Sequence, residues 1–204
     1  MGSWSTCYRE NFEKSPFILS QTPFIPFGFL IIINNHSSLQ IFSNLCYIFF
    51  MFEVRVEADF AAAHFLKDYH GKCENLHGHN YKVFAHAKGK ELDDGGMLLD
   101  FGILKGALRS VCKILDHTNL NDLTENGELV FKNNPSAERI AMWIFNKLKI
   151  QLENLATEVE SPTLKDNEKV EKEIIAKKAK NAANLLYAID VFETETSRAR
   201  YCVE

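Results

Sequence analysis

The sequence predicts an α+β domain in which two helices cover one face of a four-stranded antiparallel sheet, in the order ββααββ. Three observations carry this expectation. In "VRVEADFAAAH", Val54, Val56, Ala58, Phe60, Ala62 and His64 share one parity, and the same period of two recurs at Tyr81, Val83, Ala85 and Ala87. Between residues 102 and 115, Ile103, Leu104, Ala107, Leu108, Val111, Ile114 and Leu115 follow helical spacing. Near the C-terminus "LLYAIDVFE" alternates again at Leu185, Tyr187, Ile189, Val191 and Glu193, and "ARYCVE" supplies a strand to pair with it.

Taken in chain order, residues 1–50 carry few charges and a Ser/Asn-rich patch, "NNHSSLQ", and are expected to be a loosely ordered extension ahead of a domain over 51–204. They show no small-residue cleavage site after a basic start, which argues against a signal peptide. The apolar run "PFIPFGFLIII" is too short for a membrane helix and is broken by Pro23, Pro26 and Gly28. Asp100 stands where a cap for the first helix is needed. The second helix is predicted to open at "NNPSAER", with Asn134 as cap and Pro135 in the first turn, and to place Ile140, Trp143, Ile144 and Leu148 on one face to about residue 155. Residues 156–181 are highly charged with few large apolar groups, which predicts a solvated, partly helical insertion.

Composition narrows the function classes. With 204 residues, 46% apolar and 25% charged, the chain is long enough for one real core with appendages. A net charge of -4 and a pI near 6.0 supply no basic field, so nucleic acid is not the expected partner and a small molecule is. Five scattered cysteines, an odd number, argue against a disulfide scaffold and for a reducing, cytoplasmic setting.

The densest chemistry lies in "KCENLHGHNY", residues 72–81. His77 and His79 are two apart, so on a strand both imidazoles project from the face that carries Tyr81 and Val83. If the two strands form a hairpin, His64 reaches the same place. Three histidines without a fourth protein ligand describe a catalytic zinc with an open position. His70 reads as a loop residue, His86 faces away from the pair, and His36 lies in the extension; none is a candidate ligand. Cys73 has three readings: a fourth zinc ligand, a small buried hydrophobe, or a thiolate base favoured by a nearby cation. The absence of any C-x-x-C weakens the first. "LDHTNLN" places Asp116 and His117 at the end of the first helix, either as a polar helix terminus or as a proton-transfer pair.

"FAAAHF", "CENLHGHNY", "MLLDFGILK", "LDHTNLND", "NPSAE" and "VFETETSRARY" occur in the order seen in the 6-pyruvoyl-tetrahydropterin synthase and 6-carboxy-tetrahydropterin synthase family, which the chain resembles over about residues 52–155 and 183–204. The resemblance implies that His64, His77 and His79 bind Zn2+, that Cys73 works with Asp116 and His117 in proton transfer, and that Glu193 anchors the amino-pyrimidine edge of a pterin. Glu138 matches a further part of the pterin pocket. A carboxylate can accept two parallel hydrogen bonds from such a guanidine-like edge; the other reading of Glu193 is an exposed strand terminus.

The family's substrate is 7,8-dihydroneopterin triphosphate. The spacing C-x-x-x-H-G-H resembles the bacterial 6-carboxy-tetrahydropterin synthases of queuosine biosynthesis rather than the pyruvoyl enzymes, and a non-catalytic zinc- or pterin-binding oligomer is the alternative from another class. The resemblance also implies the tunnelling fold, whose sheets join edge to edge into a barrel, and a homohexamer of two trimers with active sites between subunits. The extension and the charged insertion depart from the compact family domain.

Overall fold

The computed structural model describes residues 50–157 and 166–204, so the extension expected over residues 1–50 lies outside the described residues except for its last position. Strand β1 (Phe52–His64) runs antiparallel to β2 (His77–Gly89), with partners from Phe52 opposite Gly89 to His64 opposite His77. After α1 (Phe101–Leu115) come three two-residue strands, β3 (Thr118–Asn119), β4 (Thr124–Glu125) and β5 (Glu128–Leu129). Helices α2 (Ala137–Thr157) and α3 (Asp166–Leu185) follow, then β6 (Leu186–Thr194) and β7 (Ser197–Cys202).

The main sheet has the order β3-β1-β2-β6-β7, and β3 runs parallel to β1 at Ala62 and Ala63. It is therefore a mixed five-stranded sheet with three helices, not the expected four antiparallel strands with two. The physical reason lies at the end of α1: His117 N–H donates to the Ala61 carbonyl at 2.6 Å and Asp116 Oδ1 accepts from Ala61 N–H at 2.8 Å, which steers the departing chain alongside β1.

The period of two separates the faces as expected. Val56, Ala58, Phe60 and Ala62 on β1 and Tyr81, Val83, Ala85 and Ala87 on β2 are buried, while Glu57, Asp59 and Lys82 between them are exposed. Against this face α1 buries Leu104, Leu108, Val111 and Leu115, and α2 buries Ile140, Ile144, Leu148 and Leu152. Each large side chain contributes about 1.5–3 kcal/mol by leaving water. Asp100 caps α1 as predicted: its Oδ1 accepts from Gly102 N–H at 2.8 Å and Ile103 N–H at 3.4 Å.

Two local expectations change. The predicted Asn134 cap is displaced, because α2 starts at Ala137 and its first turn runs from the Ser136 carbonyl to Ile140 N–H, while the Asn134 amide is engaged by the main chain of Lys67. The charged segment is helical over 166–185, with Ala176, Ala179, Ala182 and Ala183 buried along one stripe that small side chains make thin.

On β6 a bulge opposite His86 and Ala87 leaves Tyr187 as the extra residue. Its ring leaves the core parity and meets His86 and Lys88 on the helix-free face. That face also holds a buried polar group: His86 Nε2 lies 3.0 Å from Asp190 Oδ2 and His86 Nδ1 3.1 Å from Glu53 Oε1, and Arg200 donates to Asp190 from Nε at 2.6 Å and Nη2 at 2.8 Å. Among the described residues no helix is long and apolar enough to cross a membrane.

Candidate active site

His64 is the last residue of β1 and His77 the first of β2, directly opposite in register, while His79 faces Ala62. All three project from the core parity at the loop end of the hairpin, where residues 65–76 join the two strands. Their ring centroids lie 4.6, 5.3 and 5.0 Å apart, and one nitrogen from each falls within 4.8 Å of the others. This is the one group of three or more such residues among those described that could hold a metal ion.

Hydrogen bonds select the tautomers. His64 Nδ1 is 2.8 Å from the Pro135 carbonyl and His77 Nδ1 is 2.8 Å from the Asn75 carbonyl. A carbonyl only accepts, so both Nδ1 atoms carry the proton and both Nε2 lone pairs are left for a ligand, the arrangement typical of metal-binding histidine. His64 Nε2 is fully buried without a hydrogen-bond partner among the described residues. Burial pushes the His64 imidazole below its ordinary value, against the opposing pull of the Pro135 carbonyl and Glu193, so it is neutral near pH 7, as a ligand must be. The residues present therefore fit a zinc ion.

Around this centre, Glu193 Oε1 approaches His64 Nε2 to 3.8 Å, which brings the predicted pterin anchor beside the trio. Tyr81, two residues beyond His79 on the same face, stacks on Phe60 and is fully buried with a partnerless hydroxyl; burial, then the Glu193 charge, push that hydroxyl well above the ordinary phenol range. Cys73 sits half-buried on a one-turn 3₁₀ helix, Lys72–Glu74, and is not part of the histidine group. Its carbonyl accepts from Leu66 N–H at 2.8 Å.

Asp116 and His117 form a pair, with His117 Nδ1 2.9 Å from Asp116 Oδ2. The Ala61 amide first, then His117, hold the Asp116 carboxyl below the usual carboxylate range. The His117 backbone is left-handed at φ 57, and its ring is 83% exposed. His117 and His79 both line an open groove of about 480 Å³. Among the described residues no hydrogen bond or ion pair joins the pair to Cys73.

Glu138 is not brought to the trio: it lies exposed in the first turn of α2, where Ser136 and its own amide lower its pKa. The neighbouring Pro135 instead links that segment to His64. His70 is exposed beside Glu74, His86 belongs to the helix-free face, and His36 falls outside the described residues.

The sequence profile of 6-pyruvoyl tetrahydropterin synthase matches residues 53–173. A 6-carboxy-5,6,7,8-tetrahydropterin synthase of Bacillus subtilis is 34% identical over 107 residues, covering 52% of this chain and 71% of the relative. A 6-pyruvoyl tetrahydrobiopterin synthase of Drosophila melanogaster is 40% identical over 86 residues, 40% of this chain and 49% of the relative. In structure, a 6-pyruvoyl tetrahydropterin synthase of Caenorhabditis elegans superimposes with a TM-score of 0.54 at 23% identity, covering 78% of this chain and 99% of the other.

Proposed function

The chain belongs to the 6-pyruvoyl tetrahydropterin synthase family, and we propose that it is a zinc lyase of the cytoplasm that converts 7,8-dihydroneopterin triphosphate to 6-carboxy-5,6,7,8-tetrahydropterin, acetaldehyde and triphosphate for queuosine synthesis. The observation that carries this reading is the histidine trio, in which the Nδ1 atoms of His64 and His77 are engaged by carbonyls and their Nε2 atoms are left for a ligand. Zinc held by His64, His77 and His79 would supply Lewis acidity to the side-chain hydroxyl oxygens of the substrate.

The residues of the chain supply the rest. Glu193 accepts hydrogen bonds from the amino-pyrimidine edge and orients the ring. The Cys73 thiolate takes the proton from the side-chain carbon next to the ring, and the ring gains the electron pair that this carbon loses, so dihydro becomes tetrahydro while the alcohol becomes a ketone. His117, held by Asp116, exchanges the second proton as triphosphate leaves. Cleavage of the resulting diketone consumes one water and gives the carboxylate and acetaldehyde, which closes the atom balance.

A homohexamer of two trimers would account for the exposure of His117, which has no hydrogen bond to its own Cys73: the pair would serve the site of a neighbouring subunit. Among the described residues the outer edge of β1 ahead of Ala61 has no strand beside it, which supports such edge-to-edge assembly. The pyruvoyl reading keeps the same site and stops before carbon–carbon cleavage; the Drosophila relative favours it, and the C-x-x-x-H-G-H spacing favours the carboxy product. Incubating the zinc-loaded protein with 7,8-dihydroneopterin triphosphate and identifying the pterin by mass spectrometry tests the proposal. A 6-carboxy product with acetaldehyde is expected; a pyruvoyl product would transfer the chain to the other branch, and no product from folded, zinc-loaded oligomer would reject catalysis.

A further inference from the structure

We propose that Asn121 and Asn134 are positioning residues that splint the three residues after His64 and thereby set where Cys73 stands. The proposal rests on the reading of Cys73 as the proton-transferring thiol. Phe65 N–H donates to Asn121 Oδ1 at 2.9 Å, and Asn121 Nδ2 donates back to the Phe65 carbonyl at 2.9 Å. Two residues on, Lys67 N–H donates to Asn134 Oδ1 at 2.7 Å, and Asn134 Nδ2 donates to the Lys67 carbonyl at 2.9 Å. Each carboxamide thus does for one residue what a neighbouring strand would do.

Along an extended chain alternate residues turn their polar groups to opposite edges. Phe65 and Lys67 face the two asparagines, so Leu66 faces the other way, and its N–H donates to the Cys73 carbonyl at 2.8 Å. The main chain of Cys73 is therefore tied to a segment that begins at a metal-ligand candidate and is held rigid along its far edge. The Pro135 carbonyl, next to Asn134, accepts the hydrogen bond from His64 Nδ1–H, so one short stretch braces both the imidazole and the splint.

Other bonds in the loop are local. Glu74 N–H meets the Gly71 carbonyl, Asn75 N–H the Lys72 carbonyl and His70 N–H the Glu74 carboxylate. They shape the turn without placing it against β1. The residue type also matters, because only a carboxamide offers an acceptor and a donor side by side; aspartate keeps the acceptor but confronts the carbonyl with a negative charge.

The test uses the zinc-loaded full chain with Asn134→Ala, at a largely exposed pairing, and Asn121→Asp, which keeps the bond from Phe65 N–H. Zinc content, kcat and KM for 7,8-dihydroneopterin triphosphate, and iodoacetamide alkylation at Cys73 and Cys112, mapped by peptide mass, are measured together. Cys112 is 2% exposed and reports general loosening. Expected are full zinc, a protected Cys112, an altered alkylation rate at Cys73, and a kcat lower by about 10- to 100-fold with a much smaller change in KM. Parental kcat and parental Cys73 alkylation in either folded variant would overturn the proposal, as would Cys73 and Cys112 loosening together. If the parent turns over no substrate, the proposed function falls, and the contrast between the two cysteines still decides whether the splint places Cys73.

Discussion

Replacing Asp190 with asparagine isolates the charge at the centre of the helix-free face. The side chain is 3% exposed and lies within reach of Arg200 Nε and Nη2, His86 Nε2 and, at 3.5 Å, Arg198 Nη1. Asparagine keeps the volume, removes the charge and turns an amide donor toward a row of donors. Stranding the partner of a buried ion pair costs about 3–5 kcal/mol. Here the Arg200 and Arg198 side chains are 34% and 48% exposed and regain water, so about 2 kcal/mol is expected. For a domain of this size that corresponds to a fall in Tm of roughly 4–8 °C.

The pH dependence of the same substitution has a definite sign. Burial alone would raise the Asp190 carboxyl, but the Arg200 hydrogen bonds and the charges of Arg200, His86 and Arg198 outweigh it, and the folded value lies below the ordinary one. A depressed carboxylate stabilises the fold fully above its unfolded value, near about 4, and that contribution is lost as pH falls through the folded value. Thermal melts of parent and Asp190→Asn, metal-free and at one protein concentration, should differ most at neutral pH and converge in acid, where the protonated aspartate resembles the amide. A gap below about 1 °C at pH 7, or one that widens on acidification, would refute the reasoning.

Cys73→Ala should retain stoichiometric zinc by metal analysis yet lose at least about 100-fold in turnover, whereas His77→Ala should lose the metal itself. Leu108 is fully buried between α1 and the sheet, so Leu108→Ala should cost about 2–5 kcal/mol in urea unfolding with the m-value unchanged. Tyr81→Phe removes a buried hydroxyl that bonds no protein group, so its stability by urea unfolding should match or exceed that of the parent; a loss above about 1 kcal/mol would reveal a partner.

The hairpin of β1 and β2 was legible because one buried face forces strict alternation, and the H-x-H pair inherits its geometry from that same period. Asp100 was legible because capping is local. What escaped was decided by distant contacts. Strand β3 has two residues, too few for any period, and exists because Asp116 and His117 bond to Ala61. The buried stripe of α3 consists of alanines flanked by lysines, so the charge obscured a spacing that was present. Asn134 and Ser136 are both good cap formers, and the competition was settled by Lys67, 67 residues away in sequence. Of the site, the trio and the Asp116–His117 pair were readable from side-chain chemistry. The carbonyls of Pro135 and Asn75 were not, since every residue carries one.

The placement of His64 opposite His77 gives strand pairing a chemical readout. Because side chains alternate faces, a slip of one residue between β1 and β2 would send His77 and His79 to the other face from His64 and dismantle the ion site. If the trio takes up zinc as proposed, metal affinity would be a proofreading signal for the hairpin: a chain paired in any odd register would be blind to the ion, and added zinc would stabilise the correct ladder by an amount that grows with the logarithm of its concentration.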